Sequence, residues 1–140
     1  MLIQGETGTG KERVAQAIHE ASPRRKHAFH AVNCAAVADN LLEDELFGHV
    51  RGAFTGADRA RDGLFVETDG STLLFDEVGE MSSAMQAKLL RVLENQEVRP
   101  VGGGRSRKVN VRMLFATHVD LRHAVNQGRF GTISIFAWHR

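Results

Sequence analysis

The chain has few of the residues that staple small folds or hold metals. Cys34 is its one cysteine, which excludes an internal disulfide and any cysteine metal cluster and points to a reducing cytoplasm as the compartment. Its seven histidines are scattered, without the HExxH or paired spacing that zinc chemistry needs. Long apolar runs are also missing. No stretch approaches a membrane span or the core of a signal peptide, so no membrane role is expected. Charge of one sign is not in excess either: a formal net charge of +1 with no basic stripe neither supports nor excludes nucleic-acid binding. No repeat or low-complexity segment interrupts the chain. What is there is ordinary for a globular protein, with 42% hydrophobic and 25% charged residues. At 140 residues the chain makes one domain with room for a real core.

Taken in order, strand and helix patterns alternate. The apolar run Met1-Leu2-Ile3 reads as a first strand, and Val14, Ala15, Ile18 and Ala21 fall at helical spacing behind it. Residues 23–26 read as a charged loop and 29–32 as a short second strand. Residues 39–47 read as a helix with Leu41, Leu42, Leu46 and Phe47 apolar. The glycine-rich stretch 48–63 shows no sustained period and is expected to be a loop or hairpin. Residues 72–75 form a continuous apolar run that ends in Asp76-Glu77, the pattern of a buried parallel strand. Ser83 with Gln86 resembles a capping box, followed by Met85, Leu89, Val92 and Leu93 at helical spacing. Gly102-Gly103-Gly104 marks a turn, residues 109–116 read as a fourth strand, and Asp120 opens a last helix that Gly128 ends. Strands separated by helical patterns give an α/β fold with a parallel sheet sandwiched by helices.

Two stretches carry chemistry. Gly5-Glu6-Thr7-Gly8-Thr9-Gly10-Lys11-Glu12 stands between the first strand and the first helix, the context of a phosphate-binding loop. Its glycines let successive backbone N–H groups converge, the helix adds its positive end, and Lys11 adds a full charge for the phosphates. A glycine-rich turn before an ordinary helix is the competing reading. Glu12 departs from the general pattern, which ends in a Ser or Thr that ligates magnesium. Either the metal is held differently or the loop does not work. Asp76 and Glu77 close a buried strand downstream; the first suits a magnesium ion and the second the water that attacks a γ-phosphate. An acidic pair capping the next helix is the alternative. Together with Lys11, the pair favours a site that binds ATP and Mg2+ and hydrolyses ATP.

From Gly52 to Ala57 the sequence reads GAFTGA, and here it resembles the central AAA+ domain of bacterial sigma-54-dependent transcriptional activators, the enhancer-binding proteins. GETGTGKE at 5–12, VNCAA at 32–36, ELFGH at 45–49, GAFTGA at 52–57, LLFDE at 73–77, QAKLLRVLE at 86–94 and RPVGG at 99–103 follow in that family's order and spacing. The resemblance covers residues 1–130, and Glu12 matches it, because such activators carry Glu there. It implies a P-loop NTPase of AAA+ type that assembles as a hexameric ring, hydrolyses ATP between subunits and remodels the closed promoter complex of sigma-54 RNA polymerase. Lys11 would bind phosphate, Asp76 organise magnesium, Glu77 activate water, and Asn33 hold the glutamate in check until the partner is engaged. Gly52, Ala53, Phe54, Thr55, Gly56 and Ala57 would form the sigma-54 contact, its glycines permitting two loop states. The turn at 102–104 would form a second surface loop that moves with it.

The departures from the family are also informative. His118 stands where the family has Asn, at the position that senses the γ-phosphate, so sensing is expected to differ. A fragment is expected: the segment that helps grip adenine, the helical lid and the DNA-binding helix-turn-helix fall outside these residues, so no direct DNA contact is expected. The last eleven residues, FGTISIFAWHR, do not follow the family, which continues with a pattern like FRxDLxxRL whose two arginines reach the neighbouring subunit's ATP. Gly131 and Ala137 stand at those positions. One back-translation of 130–140 reads FRDDLYLRLAS once a single C is added after its first codon, so a one-base deletion explains residues 131–140 as a frameshifted, non-family tail. Without the arginines, weak hydrolysis is expected; a non-catalytic interaction module or an inactive pseudogene product are the alternatives. His30 and His49 are expected to be structural or surface groups, Cys34 a small buried hydrophobe, and 105–108 a solvated basic loop.

Overall fold

Four short apolar runs become the strands of one parallel sheet. In the computed structural model, which describes residues 1–6, 8, 10–118, 120, 123, 126 and 127, the elements run β1 (Leu2–Gln4), α1 (Lys11–Glu20), β2 (Phe29–Asn33), α2 (Asp39–Phe47), β3 (Gly48–His49), β4 (Arg61–Asp62) and α3 (Leu64–Glu67). They continue with β5 (Thr72–Asp76), a 3-10 turn (Val78–Glu80), α4 (Ser83–Asn95), β6 (Glu97–Val98), β7 (Arg107–Lys108) and β8 (Arg112–Thr117). The sheet order is β1-β8-β5-β2, with every pairing parallel. Two small antiparallel hairpins, β3–β4 and β6–β7, stand outside it.

Alternation along the two central strands builds a core on each face. Leu73 and Phe75 of β5, with Met113 and Phe115 of β8, join Leu42 and Leu46 of α2 and Met85, Leu89 and Val92 of α4 in the larger cluster. Leu74, Leu114 and Ala116 point to the other face, where Ala15 of α1 meets them. Helices therefore cover both faces, which is why β5 is continuously apolar. Leu73, Leu74 and Phe75 are fully buried, each worth about 1.5–3 kcal/mol in transfer from water. The rings of Phe75 and Phe115 stack at 5.5 Å across the pair.

Several boundaries differ from the sequence reading, each for a local reason. The cap of α4 is Ser82, whose hydroxyl accepts from the Met85 N–H at 3.2 Å, one residue before the expected Ser83. Gln86 does not complete a capping box; its side chain is buried and donates to the Met81 carbonyl at 2.9 Å. The last strand starts at Arg112 rather than Val109, because the Val109 N–H bonds Gln96 O and the Asn110 carbonyl accepts from Gly70 and Arg24. In α1 the buried residues are Lys11, Ala15 and His19, at i, i+4 and i+8, while Val14 is exposed. His19 fits because Nε2 donates to the His27 carbonyl at 3.0 Å and Nδ1 meets the Thr72 hydroxyl at 2.8 Å. Leu41 on α2 is likewise exposed. Residues 48–63 form the hairpin β3–β4, whereas half of the basic stretch 105–108 is strand β7, with Arg107 bonded to Asp62 at 3.1 Å. The last helix, expected over 120–128, and the tail from Gly131 lie mainly outside the described residues. The fold is thus the α/β P-loop core that the sequence suggests, with no helical lid among the described residues, and none of their helices is long and apolar enough to cross a membrane.

Candidate functional site

Parallel strands bring their carboxyl ends to one edge of a sheet, where ligands of open α/β folds bind. Register sets a row there: Asn33 pairs with Asp76, Asp76 with Ala116, and Gln4 with Thr117. Gly5 continues from β1, its N–H donating to the Thr117 carbonyl at 3.1 Å. The phosphate-loop residues, Asn33, the Asp76-Glu77 pair and His118 therefore leave the sheet at the same edge.

The loop has the backbone that its glycines permit. Gly8 and Gly10 stand at φ 83° and 80°, conformations costly for other residues, with open space where a side chain would project. Gly10 is the N-cap of α1 and, being glycine, supplies no side-chain cap to that helix, which leaves the helix end suited to an anion. Glu6 and Glu12 flank this stretch, Glu12 exposed in the first turn of α1. Thr7 and Thr9 lie outside the described residues. Lys11, 8% exposed, donates from Nζ to the carbonyls of Gly5 at 2.9 Å and Glu6 at 3.0 Å. These features fit a polyphosphate.

Lys11 Nζ also stands 3.9 Å from Oε1 of Glu77, so the first and second motifs meet. Glu77 is held at φ 58°, ψ 44°, left-handed for a non-glycine residue, with its N–H donating to Asp76 Oδ1 at 2.9 Å. Such strain persists where surrounding structure over-determines it, and it clusters at functional sites. Asp76, half-buried and bonded to the Glu77 N–H, is a hard oxygen donor of the kind magnesium takes. Asn33 is exposed, its Oδ1 accepting from the Ala35 N–H at 3.0 Å. The side chain that bonds the Glu77 carboxylate is His118, through Nδ1 and Oε2, and its Nε2 lies 3.8 Å from Glu80. Neither that bond nor the nearness of Glu80 was evident from the sequence, where nothing ties position 118 to positions 77 and 80.

Cys34, whose N–H donates to Asp76 O at 2.9 Å, is buried as expected. Burial first, then the charges of Asp76 and Glu77, push its thiol up to about 12, which makes it inert rather than nucleophilic.

The GAFTGA segment forms the tip of the β3–β4 hairpin. Gly52 donates to Ala57 O at 2.8 Å and Ala57 to Phe54 O at 3.1 Å, with Gly52 and Gly56 left-handed. Ala57 is buried, Thr55 is exposed, and Phe54 is 46% exposed with its ring edge against His49 at 4.9 Å. His49 is structural, as expected: Nε2 donates to Arg59 O at 2.8 Å, and Nδ1 lies 2.6 Å from Asp44. The 99–106 loop docks on the same hairpin through Val50 N–H to Val101 O at 3.1 Å and Val101 N–H to Gly48 O at 2.9 Å. A cleft of about 600 Å3 beside that loop is lined by Phe47, Lys88, Arg91, Val92, Val98 and Arg99 among others, and includes none of the phosphate-site residues.

The chain is similar to known proteins in both sequence and fold. The family model described as the Sigma-54 interaction domain matches residues 1–134. The chain is 56% identical over 130 residues to the regulatory protein LuxO of Vibrio cholerae, covering 93% of this chain and 24% of that protein. It is 55% identical over 130 residues to the transcriptional regulatory protein GlrR of Escherichia coli, covering 93% and 29%. It thus spans less than a third of the length of these relatives. The crystal structure of NtrX from Brucella abortus superimposes with a TM-score of 0.89 at 35% identity, over 98% of this chain and 30% of that one. NtrX solved in complex with ATP gives 0.87 at 35% identity, over 98% and 29%.

Proposed function

Because the chain belongs to the Sigma-54 interaction domain family, we propose that it binds ATP with magnesium on the loop 5–12 and presents residues 52–57 to sigma-54. The observation that carries this reading is the meeting of Lys11 with Glu77, 3.9 Å apart, at the strand ends beside a loop of left-handed glycines. Lys11 and the N–H groups of the loop hold the phosphates, Asp76 takes the cation, and Glu77 orients and deprotonates water. Bound magnesium would supply charge neutralisation at the transferred phosphoryl group. Asn33, across the pair from Asp76, has the role of restraining the glutamate, and His118 that of sensor. The place of work is the cytoplasm, and the assembled state is a hexameric ring.

Turnover is a separate matter from binding. Arginines from a neighbouring subunit are worth about 10³–10⁵ in such reactions, and Gly131 and Ala137 carry no guanidinium. The chain is accordingly a nucleotide-binding, sigma-54-contacting unit with weak hydrolysis. Titration with a fluorescent ATP analogue and magnesium tests the reading. Binding is expected, with a loss of at least about tenfold in Lys11→Ala; an affinity that ignores this substitution would sink the site assignment.

A further inference from the structure

Strands β5 and β8 are neighbours with Asp76 opposite Ala116, so Glu77 and His118 leave the sheet beside one another. The Glu77 backbone has no freedom left: its N–H is bonded to Asp76 Oδ1 at 2.9 Å and its carbonyl accepts from Glu80 N–H at 3.1 Å. Only its side chain can turn. Oε2 of that side chain receives Nδ1 of His118, while Oε1 stands 3.9 Å from Lys11 Nζ. The lysine contact is longer than a hydrogen bond, so the pair is incomplete. Residues three apart in a 3-10 turn eclipse, which brings Glu80 to 3.8 Å from His118 Nε2. The imidazole thus faces a carboxylate at each nitrogen, hydrogen-bonded through Nδ1 and within ion-pair reach at Nε2. Asn33 Oδ1 is engaged with Ala35 N–H instead.

We propose that His118 is a positioning residue for Glu77: it holds the carboxylate from the side opposite Lys11 and so keeps the lysine available to phosphate. The Lys11 and Glu77 side chains are only 7% and 14% exposed. A carboxylate released from His118 in so little water closes on the ammonium beside it, and an incoming phosphate then has to displace it. The role rests on reading the loop as a nucleotide site.

The test is titration of a fluorescent ATP analogue into the wild-type chain and its variants. His118→Ala is expected to weaken binding about fivefold, the scale of one ordinary hydrogen bond. His118→Asn, whose amide still donates, is expected to return to within about twofold of wild type. In a Glu77→Gln background, His118→Ala is expected to change nothing, a coupling that a merely structural role would not produce. Unchanged affinity in His118→Ala, or a loss that persists with Glu77→Gln, overturns the proposal. Binding that is indifferent to Lys11→Ala removes the nucleotide site itself, and this role with it. The His118 side chain is 40% exposed, so thermal melts by circular dichroism are expected to match wild type.

Discussion

Gly102→Ala is expected to damage the junction between the two surface loops in a way that can be divided into parts. Gly102 stands at φ 87°, and an added Cβ would lie 2.6 Å from the Cβ of Ala53 and 3.0 Å from Val50 Cγ2. The left-handed backbone costs a non-glycine residue about 1–2 kcal/mol. Forcing a methyl into a filled contact adds about 1–3 kcal/mol. The total is about 2–5 kcal/mol, and in a domain of this size each kcal/mol lowers Tm by about 4 °C. Calorimetry should therefore show a fall of about 8–20 °C. Gly103 is the internal control, because it is also left-handed, at φ 111°, yet its added Cβ would meet nothing nearer than an Arg99 nitrogen at 3.8 Å. Gly103→Ala should show the backbone cost alone. Adding Ala53→Gly to Gly102→Ala removes the closest clash, and urea denaturation of the four-member cycle should return a coupling of about 1 kcal/mol or more. If Gly102→Ala is as stable as Gly103→Ala, or the cycle shows no coupling, the loops do not pack as described.

Two further expectations follow from the site and its surroundings. Cys34 should resist iodoacetamide at pH 8.5 in the folded chain by at least about tenfold relative to the chain in denaturant, since the thiol form dominates when its pKa rises; equal rates would refute the burial. Its folded pKa of about 12 exceeds the ordinary 9.0, so the thiol's contribution to stability is full below pH 9.0 and is lost as pH climbs towards 12. Cys34→Ala should lose less stability across that window than wild type does. Phe54→Ala should cost less than about 1.5 kcal/mol in urea denaturation, because the ring is half-exposed and makes one edge contact. In pull-down with purified sigma-54 the same variant should lose at least about tenfold in capture; undiminished capture would count against the loop as the contact.

What the sequence disclosed, it disclosed through backbone demands that few residues meet. An apolar run ending in Asp76-Glu77 has few uses other than a buried strand opening on a site, and glycines before a lysine mark a curled loop. The parallel sheet and the nearness of Lys11 to Glu77 were therefore legible. Side-chain partnerships were not, because they depend on register between distant strands: nothing in the sequence says that His118 meets Glu77 rather than solvent. Helical faces were read by hydropathy, and α1 buries Lys11 and His19 while exposing Val14, since hydrogen bonds to Thr72, His27, Gly5 and Glu6 satisfy the polar groups. Boundaries moved for the same reason, as Gln86 found a carbonyl inside the fold.

The docking of Val101 between Gly48 and Val50 makes the two hairpins one crank rather than two fingers. From Glu77 the chain runs through the 3-10 turn and the thirteen residues of α4 into β6, and at Val101, directly after Arg99-Pro100, it is clamped to the base of the Phe54 hairpin. A displacement of the hairpin base at Gly48 and Val50 must either break those two backbone hydrogen bonds or carry Val101 with it.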